Sequence, residues 1–259
     1  MGAVMTFGGW KAARRKYIIQ NGKKIMRAID RYIANHSLVP DVPVYEHGTF
    51  PWVADLESHW QDIRGELQTV LKYRSVLPRF QDISPDQYRI SPDDQWHTFF
   101  LYGFGMKSDL NAKLCPKTVA ILERLPGLQT AFFSILAPGK HVPRHKGVTK
   151  SMLRCHLGLV VPENAENCWM DVNGVRCVWE NGKAFVFDDT YPHEVWNNTD
   201  EERVVMLIDV QRPMPASSRM LTAAMMWLFR RSPYYRDAMR NQRRWEARFG
   251  AQLKAEGCI

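Results

Sequence analysis

His141–Pro162 reads HVPRHKGVTKSMLRCHLGLVVP: three imidazoles, interleaved with Arg144, Lys146, Lys150 and Arg154, lead into an apolar run. Working outward, AFFSILAP precedes this stretch, and NCWMDV, KAFVFDD and RVVMLIDVQ follow it. Each is a short run rich in β-branched and aromatic residues, bounded by Gly, Pro, Asn or Asp, as strands and their turns are. Residues 130–212 therefore predict an all-β region of sandwich or barrel type.

The flanks predict helices. Over residues 10–35, Tyr17, Ile18, Ile25, Ile29 and Ile33 line one side of a basic amphipathic helix. LVPDVPVYEHGTFP follows as an extended, Pro-punctuated connector. VADLESHWQDIRGELQTVLKYR spaces Leu56, Trp60, Ile63, Leu67 and Leu71 as a second amphipathic helix, and PKTVAILERLPG is a short third one, stopped at Pro126-Gly127. After the β region, MLTAAMMWLF (220–229), flanked by Arg219 and Arg230-Arg231, is too short to span a bilayer. It suits either the membrane interface or docking on the β core.

A chain of 259 residues, 45% apolar, is long enough for a full core. It has no long uncharged apolar stretch and no secretory leader pattern, so neither a spanning nor an exported protein is expected. MGAVMT fits the loose myristoylation pattern, a match too common by chance to use. Five cysteines, widely spaced and without C-x-x-C, suggest neither disulfides nor a zinc knuckle, and point to a reducing cytosol. The net charge of +8 is uneven: residues 1–37 and 212–259 each carry a net +7, leaving the middle acidic. Basic ends on an acidic body argue against a nucleic-acid groove, and fit either an anionic membrane surface or two solvated helices.

His145, His156 and His193 fall in the β region, His193 within FDDTYPHEVW beside Asp188, Asp189 and Glu194. Two imidazoles from different strands can hold one divalent transition metal, and H-E-x-x-H is absent. The common iron-oxygenase pattern places a carboxylate two residues after the first His, where both His145 and His156 have a Gly. On pattern alone the metal question stays open.

The ordered motifs FSILAPGKHVPRHKG, LRCHLGLVVP, WENGKAFVFDDTYPHEVWN and ERVVMLIDVQRP, with a looser match back to WHTFFLYGFG, resemble the aspartyl/asparaginyl β-hydroxylase family of Fe(II)- and 2-oxoglutarate-dependent dioxygenases. The resemblance implies a mainly β fold, a double-stranded β-helix (jelly-roll, cupin-like) core with flanking N- and C-terminal helices. It also implies that a Gly stands in for the acidic ligand, here Gly147. His145 and His193 are then the catalytic iron ligands, and Ser134, Arg154, His156 and Arg203 hold 2-oxoglutarate, with Fe(II) and O2 completing the chemistry. An Arg suits the far carboxylate of a dicarboxylate. Arg154 and His156, two apart on one strand, share a face. Asp188 and Asp189 either orient His193 or shape its turn.

The family includes hydroxylases of Asp or Asn in proteins and of lipid acyl chains. Where the protein-directed members carry an Arg that grips the acidic substrate, two residues before Arg154, this chain has Met152. FPWVADLESHWQDIRGEL and LPGLQTAFFSILAPGKHVPRH also resemble the lipid branch. The expectation is an acyl-chain hydroxylase of lipid A or ornithine lipid, with β-hydroxylation of protein Asp or Asn as the alternative. Its organisation is a basic helix at 1–40, the dioxygenase domain at 41–213 with its β core from about 96, and a basic helical extension at 214–259. Expected partners are an acyl lipid and an anionic membrane, without nucleic acid. The expected location is cytoplasmic, peripheral on the membrane's inner face.

Overall fold

A computed structural model describes residues 26–257. The part of the expected N-terminal helix before residue 26 lies outside them; residues 26–36 are helical and form α1. There follow α2 (Pro51–Ser58), α3 (Trp60–Leu71), a short α4 (Phe80–Ile83), β1 (Trp96–Gly103), β2 (Met106–Lys107), α5 (Asp109–Leu114) and α6 (Pro116–Leu122). The β region comprises β3 (Leu128–Leu136), β4 (His141–His145), β5 (Met152–Val160), β6 (Cys168–Val172), β7 (Val175–Val178), β8 (Ala184–Phe187), β9 (His193–Asn197) and β10 (Arg203–Gln211). Two helices, α7 (Ala216–Phe229) and α8 (Pro233–Ala255), end the chain.

The strands build two antiparallel sheets, β2-β1-β3-β10-β5-β8 and β4-β9-β6-β7, facing one another as a jelly-roll sandwich. Period-two alternation assigns each side chain of the large sheet a face. In β10, Val204, Met206, Ile208 and Val210 point to the outer core, whereas Arg203, Val205, Leu207 and Asp209 point between the sheets. The outer core is closed by Leu56, Ile63 and Leu67 from the N-terminal helices and by Trp245, Phe249 and Leu253 from α8. Both faces of the sheet are therefore covered, and its central strands read as nearly continuous apolar runs.

One turn and one register shift set the small sheet. Asn173 and Gly174, both at positive φ, close the β6–β7 hairpin, the conformation a two-residue hairpin favours. In the edge strand β4 the pairing with β9 shifts between Val142 and His145, across Pro143, which has no N–H to offer a ladder. The shift brings His145 opposite His193.

The single amphipathic helix expected over residues 53–74 is instead two, α2 and α3, broken at His59 (φ −105°, ψ 9°). The break lets both segments bury their apolar sides: Val53 and Leu56 from one, Ile63, Leu67 and Val70 from the other. The short third helix appears as expected, and Gly127 beyond it takes φ +64°.

Asp188, fully buried, closes the turn before β9 by accepting from the Thr190 backbone N–H (2.9 Å) and Oγ1 (2.6 Å), and it pairs with Arg212, also fully buried, and with Lys150 at 2.8 Å. Removing one member of a buried pair strands the other charge. Asp188→Ala is expected to lower stability by about 3–5 kcal/mol, read as an earlier urea midpoint with an unchanged slope; a midpoint within error of the parent would remove this pair from the account of the fold.

Candidate functional site

His145 and His193 face each other across the β4–β9 ladder with ring centroids 4.1 Å apart. The His145 Nδ1–H donates to the Pro143 carbonyl (2.8 Å) and the His193 Nδ1–H to the Tyr191 carbonyl (3.0 Å). This fixes the tautomer in each ring and leaves the Nε2 lone pair for a ligand. Burial lowers the pKa of His145 to about 4, and burial together with the neighbouring His145 lowers that of His193 to about 3. Both rings are thus neutral near pH 7, the form that binds a metal. Among the described residues no three His, Cys, Asp or Glu side chains gather as a metal cage.

A Cβ on Gly147 would lie 2.1 Å from Oδ1 of Asp189, so the space a side chain at 147 would fill holds a carboxylate supplied by the turn before β9. The Gly147 N–H donates to the Asp189 carbonyl. Burial raises the Asp189 carboxyl to about 6, against the pull of Arg154, whose Nη1 is 3.2 Å away. The two neighbouring aspartates therefore differ in role: Asp188 holds the turn, and Asp189 lies against the loop that follows His145.

The four residues expected to bind the cosubstrate all face the space between the sheets, deeper than the imidazole pair or beside it. Phe187 links them, its ring 5.7 Å from that of His193 and 5.1 Å from that of His156. His156 Nδ1 accepts from Trp179 Nε1 (3.4 Å). Since indole only donates, the His156 proton sits on Nε2, a buried donor with no partner among the described residues. Burial, with Arg203 and Arg154 adding to it, keeps His156 well below its ordinary pKa and uncharged. Arg203 stacks over Trp179 (4.5 Å) and is fully enclosed; its Nε and Nη1 have no hydrogen-bond partner among the described residues. Burial lowers its pKa to about 10, still charged at neutral pH. Ser134 Oγ accepts from Trp96 Nε1 (3.0 Å), which leaves its own proton to donate.

Arg154 differs from the other three. Its Nε and Nη2 donate to Asp209 (2.8 and 3.1 Å), the residue directly opposite on β10, and its Nη1 meets Asp189. It bridges two carboxylates at the edge of the site. Asp209 was not singled out from the sequence, although a carboxylate inside RVVMLIDVQ, in phase with Arg203, signals a buried charge in need of a partner. Trp179 carried no such signal.

A cavity of about 920 Å³ opens from the imidazole pair. His145, His193, Arg154 and Asp189 line its inner end, and Met152, Phe80, Phe100, Phe132 and Leu207 line an apolar wall, with Phe100 stacked on Phe132 at 4.4 Å. Charged side chains of both signs stand along it, among them Arg89, Lys107, Lys113 and Lys254 with Asp86, Asp109 and Glu246.

The sequence profile of the aspartyl/asparaginyl beta-hydroxylases matches residues 57–213. The ornithine lipid ester-linked acyl 2-hydroxylase of Rhizobium tropici is 46% identical over 213 residues, covering 82% of this chain and 76% of that protein. The human aspartyl/asparaginyl beta-hydroxylase is 34% identical over 185 residues, 69% of this chain but 24% of that much longer protein. A Pseudomonas putida prolyl-4-hydroxylase structure aligns over 72% of this chain and 98% of its own, with a TM-score of 0.41 and 17% identity.

Since even a methyl group at position 147 collides with the Asp189 carboxylate, Gly147→Ala is expected to push that carboxylate from Arg154 and cost about 1–3 kcal/mol of stability. Thermal unfolding measures it, and an unchanged midpoint would show that the loop moves aside freely.

Proposed function

As the chain belongs to the aspartyl/asparaginyl β-hydroxylase family, we propose that it is an Fe(II)- and 2-oxoglutarate-dependent dioxygenase that hydroxylates an acyl chain of a membrane lipid of the ornithine-lipid kind. The observation that carries the cosubstrate is Arg203: a buried guanidinium that bonds the Cys168 thiol and keeps two nitrogens without a partner among the described residues suits an anion. A lone charge buried this way costs several kcal/mol, which a bound carboxylate offsets.

The donor set fits that ligand. Arg203 takes the far carboxylate in a charge-assisted contact. The Ser134 hydroxyl and the His156 Nε2–H supply further donors, each aimed by an indole that occupies its other hydrogen-bonding atom. His145 and His193 would hold Fe(II) through Nε2, their rings steadied by the carbonyls of Pro143 and Tyr191. Fe(II) held there would allow O2 to act as the oxidant, one oxygen atom entering the C–H bond and the other the succinate that 2-oxoglutarate becomes on losing CO2. The apolar packing around Phe187, Val205 and Trp179 excludes water from the site.

The apolar cavity supports a lipid substrate. Met152 is buried in its wall and presents a thioether to the cavity two residues before Arg154. Each methylene moved from water into such a wall contributes about 0.8 kcal/mol. The relative of greatest similarity named above acts, by its name, on an ester-linked acyl chain of ornithine lipid.

The same reading places the enzyme on an anionic membrane, at the cytoplasmic face. Met220, Trp227 and Leu228 of α7 are 83%, 55% and 61% exposed. Arg230 and Arg231 follow them, with Arg231 over the Trp227 ring. The helix after α7 starts on the cavity rim, where the Tyr235 hydroxyl meets Met106 Sδ at 2.9 Å. Among the described residues no helix is long and apolar enough to cross a membrane.

Arg203→Ala is expected to weaken 2-oxoglutarate by about 2–5 kcal/mol, and His145→Ala or His193→Ala to abolish both turnover and most Fe(II) affinity. Anaerobic titration with each ligand separates the two effects; ordinary 2-oxoglutarate binding by the Arg203 variant would overturn the assignment. Lipid mass spectrometry of reactions with ornithine lipid tests the substrate. Hydroxylation of an Asp- or Asn-containing peptide with no lipid product would replace it by the protein reading.

Adsorption to phosphatidylglycerol vesicles should weaken as salt is added, since each basic residue near the surface contributes about 1 kcal/mol and is screened over roughly 8 Å at physiological ionic strength. Trp227→Asp with Leu228→Asp should weaken it further. Salt-independent adsorption, or none, would remove the membrane from the proposal.

A further inference from the structure

The cavity is larger than the cosubstrate site needs. At about 920 Å³ it lies in the upper part of the range for ligand sites, about 300–1,000 Å³. Of the four residues expected to hold the cosubstrate only Arg154 lines it, and Arg203, Ser134 and His156 do not, so most of this space lies outside the cosubstrate pocket. One long wall is the inner face of the large sheet, with Phe100, Phe132 and Leu207. The facing wall is α8, which lies wholly beyond the stretch matched by the family's profile.

The face that α8 turns to the cavity repeats with the helix. Met239, Gln242, Arg243, Glu246, Ala247, Gly250, Ala251 and Lys254 recur at three- and four-residue steps. Small side chains at 247, 250 and 251 make this face a trough. Gln242 and Glu246 bond each other at 2.8 Å. The opposite face fixes the helix in place: Trp245 Nε1 donates to the Val76 carbonyl (3.0 Å), Phe249 meets Tyr73 edge to face, and Leu253 is fully buried. Gly250 is itself close-packed, since a Cβ there would stand 3.2 Å from Leu110. A wall held this way has a fixed bore.

We infer that the trough of α8 formed by Met239, Ala247, Gly250 and Ala251, opposite Phe100, Phe132 and Leu207, is the acyl-chain site and sets the chain length the enzyme accepts. The inference rests on the lipid reading above for the identity of its occupant. A long saturated chain matches the apolar face of the sheet and the small and apolar side chains of α8 between its polar ones, and the space also reaches His145 and His193. Lys107, Lys113, Arg243 and Lys254 stand on the same cavity with Asp86, Asp109 and Glu246, a lining of both signs that suits a headgroup carrying both an amine and a carboxylate.

Ala247 and Ala251 are solvent-accessible, so larger side chains there enter the trough without touching the packed face of α8. Ala251→Trp and Ala247→Trp, two separate tests in case one variant misfolds, are to be compared with the parent on palmitoyl and hexanoyl forms of one ornithine lipid. The palmitoyl-to-hexanoyl ratio of kcat/KM should fall about tenfold or more. A nitroxide-labelled stearoyl lipid, immobilised by the full-length parent in electron paramagnetic resonance, should become mobile in the variants. An unchanged ratio with the label still immobile in both folded variants overturns the inference, as does a parent that leaves the label mobile. A parent that hydroxylates no lipid yet immobilises the label, and loses this in the variants, defeats the proposed substrate while supporting the trough.

Discussion

A buried positive charge that meets the Cys168 thiol and the Trp179 ring, but no carboxylate among the described residues, is the constraint on which the arrangement between the sheets depends. Arg203 has Trp179 against its flat face and two nitrogens facing no acceptor. The cation–π contact recovers only about 2 kcal/mol, less than desolvation costs. The surroundings are built for an anion to complete them: His156 is held neutral with its proton outward, and Ser134 keeps a free hydroxyl hydrogen. Were either ring or hydroxyl turned over, it would present a lone pair where an anion must sit. Two tryptophans prevent that by occupying the other atom.

Strand β10 orders the site along its length. Its inward residues, Arg203, Val205, Leu207 and Asp209, succeed one another every second position, so the first and last are roughly 20 Å apart. At one end stands the unpaired guanidinium, in the middle an apolar stretch, and at the other the carboxylate that holds Arg154. Its outward residues meanwhile anchor the strand in a core closed by helices from both ends of the chain. Those helices keep the central strand from shifting register, and a shift of one residue would turn Arg203 out into that core.

Much of this could be read from the sequence because strand periodicity is rigid. Short β-branched and aromatic runs bounded by Gly, Pro, Asn and Asp gave the β region, and the family resemblance named His145, His193, Ser134, His156 and Arg203, which lie on strands of the two facing sheets. The two aspartates before His193 could not be separated that way. They are adjacent and chemically identical, and their roles diverge through partners distant in sequence: Lys150 and Arg212 for Asp188, Gly147 and Arg154 for Asp189. The break at His59 was hidden for a related reason, since both halves of the helix keep compatible apolar spacing and only the curved surface beneath them calls for a bend.

Helix α8 shows the same limit from the other direction. Its pattern announces an amphipathic helix, and amphipathicity says which side is buried but not what the other side faces. Here the polar side is not merely solvated: it looks across a cavity toward aromatic residues of β1 and β3. On the proposed reading the chemistry falls to residues within 134–203 and the wall to residues 239–254, and both segments contribute to one core. Because Trp245, Phe249 and Leu253 hold the helix while Ala247 and Ala251 face the cavity, the lining can change in size without loosening the packing. On that reading reaction and selectivity fall to different segments, so the same buried arginine and imidazole pair could serve substrates of different shape in chains whose final helix differs.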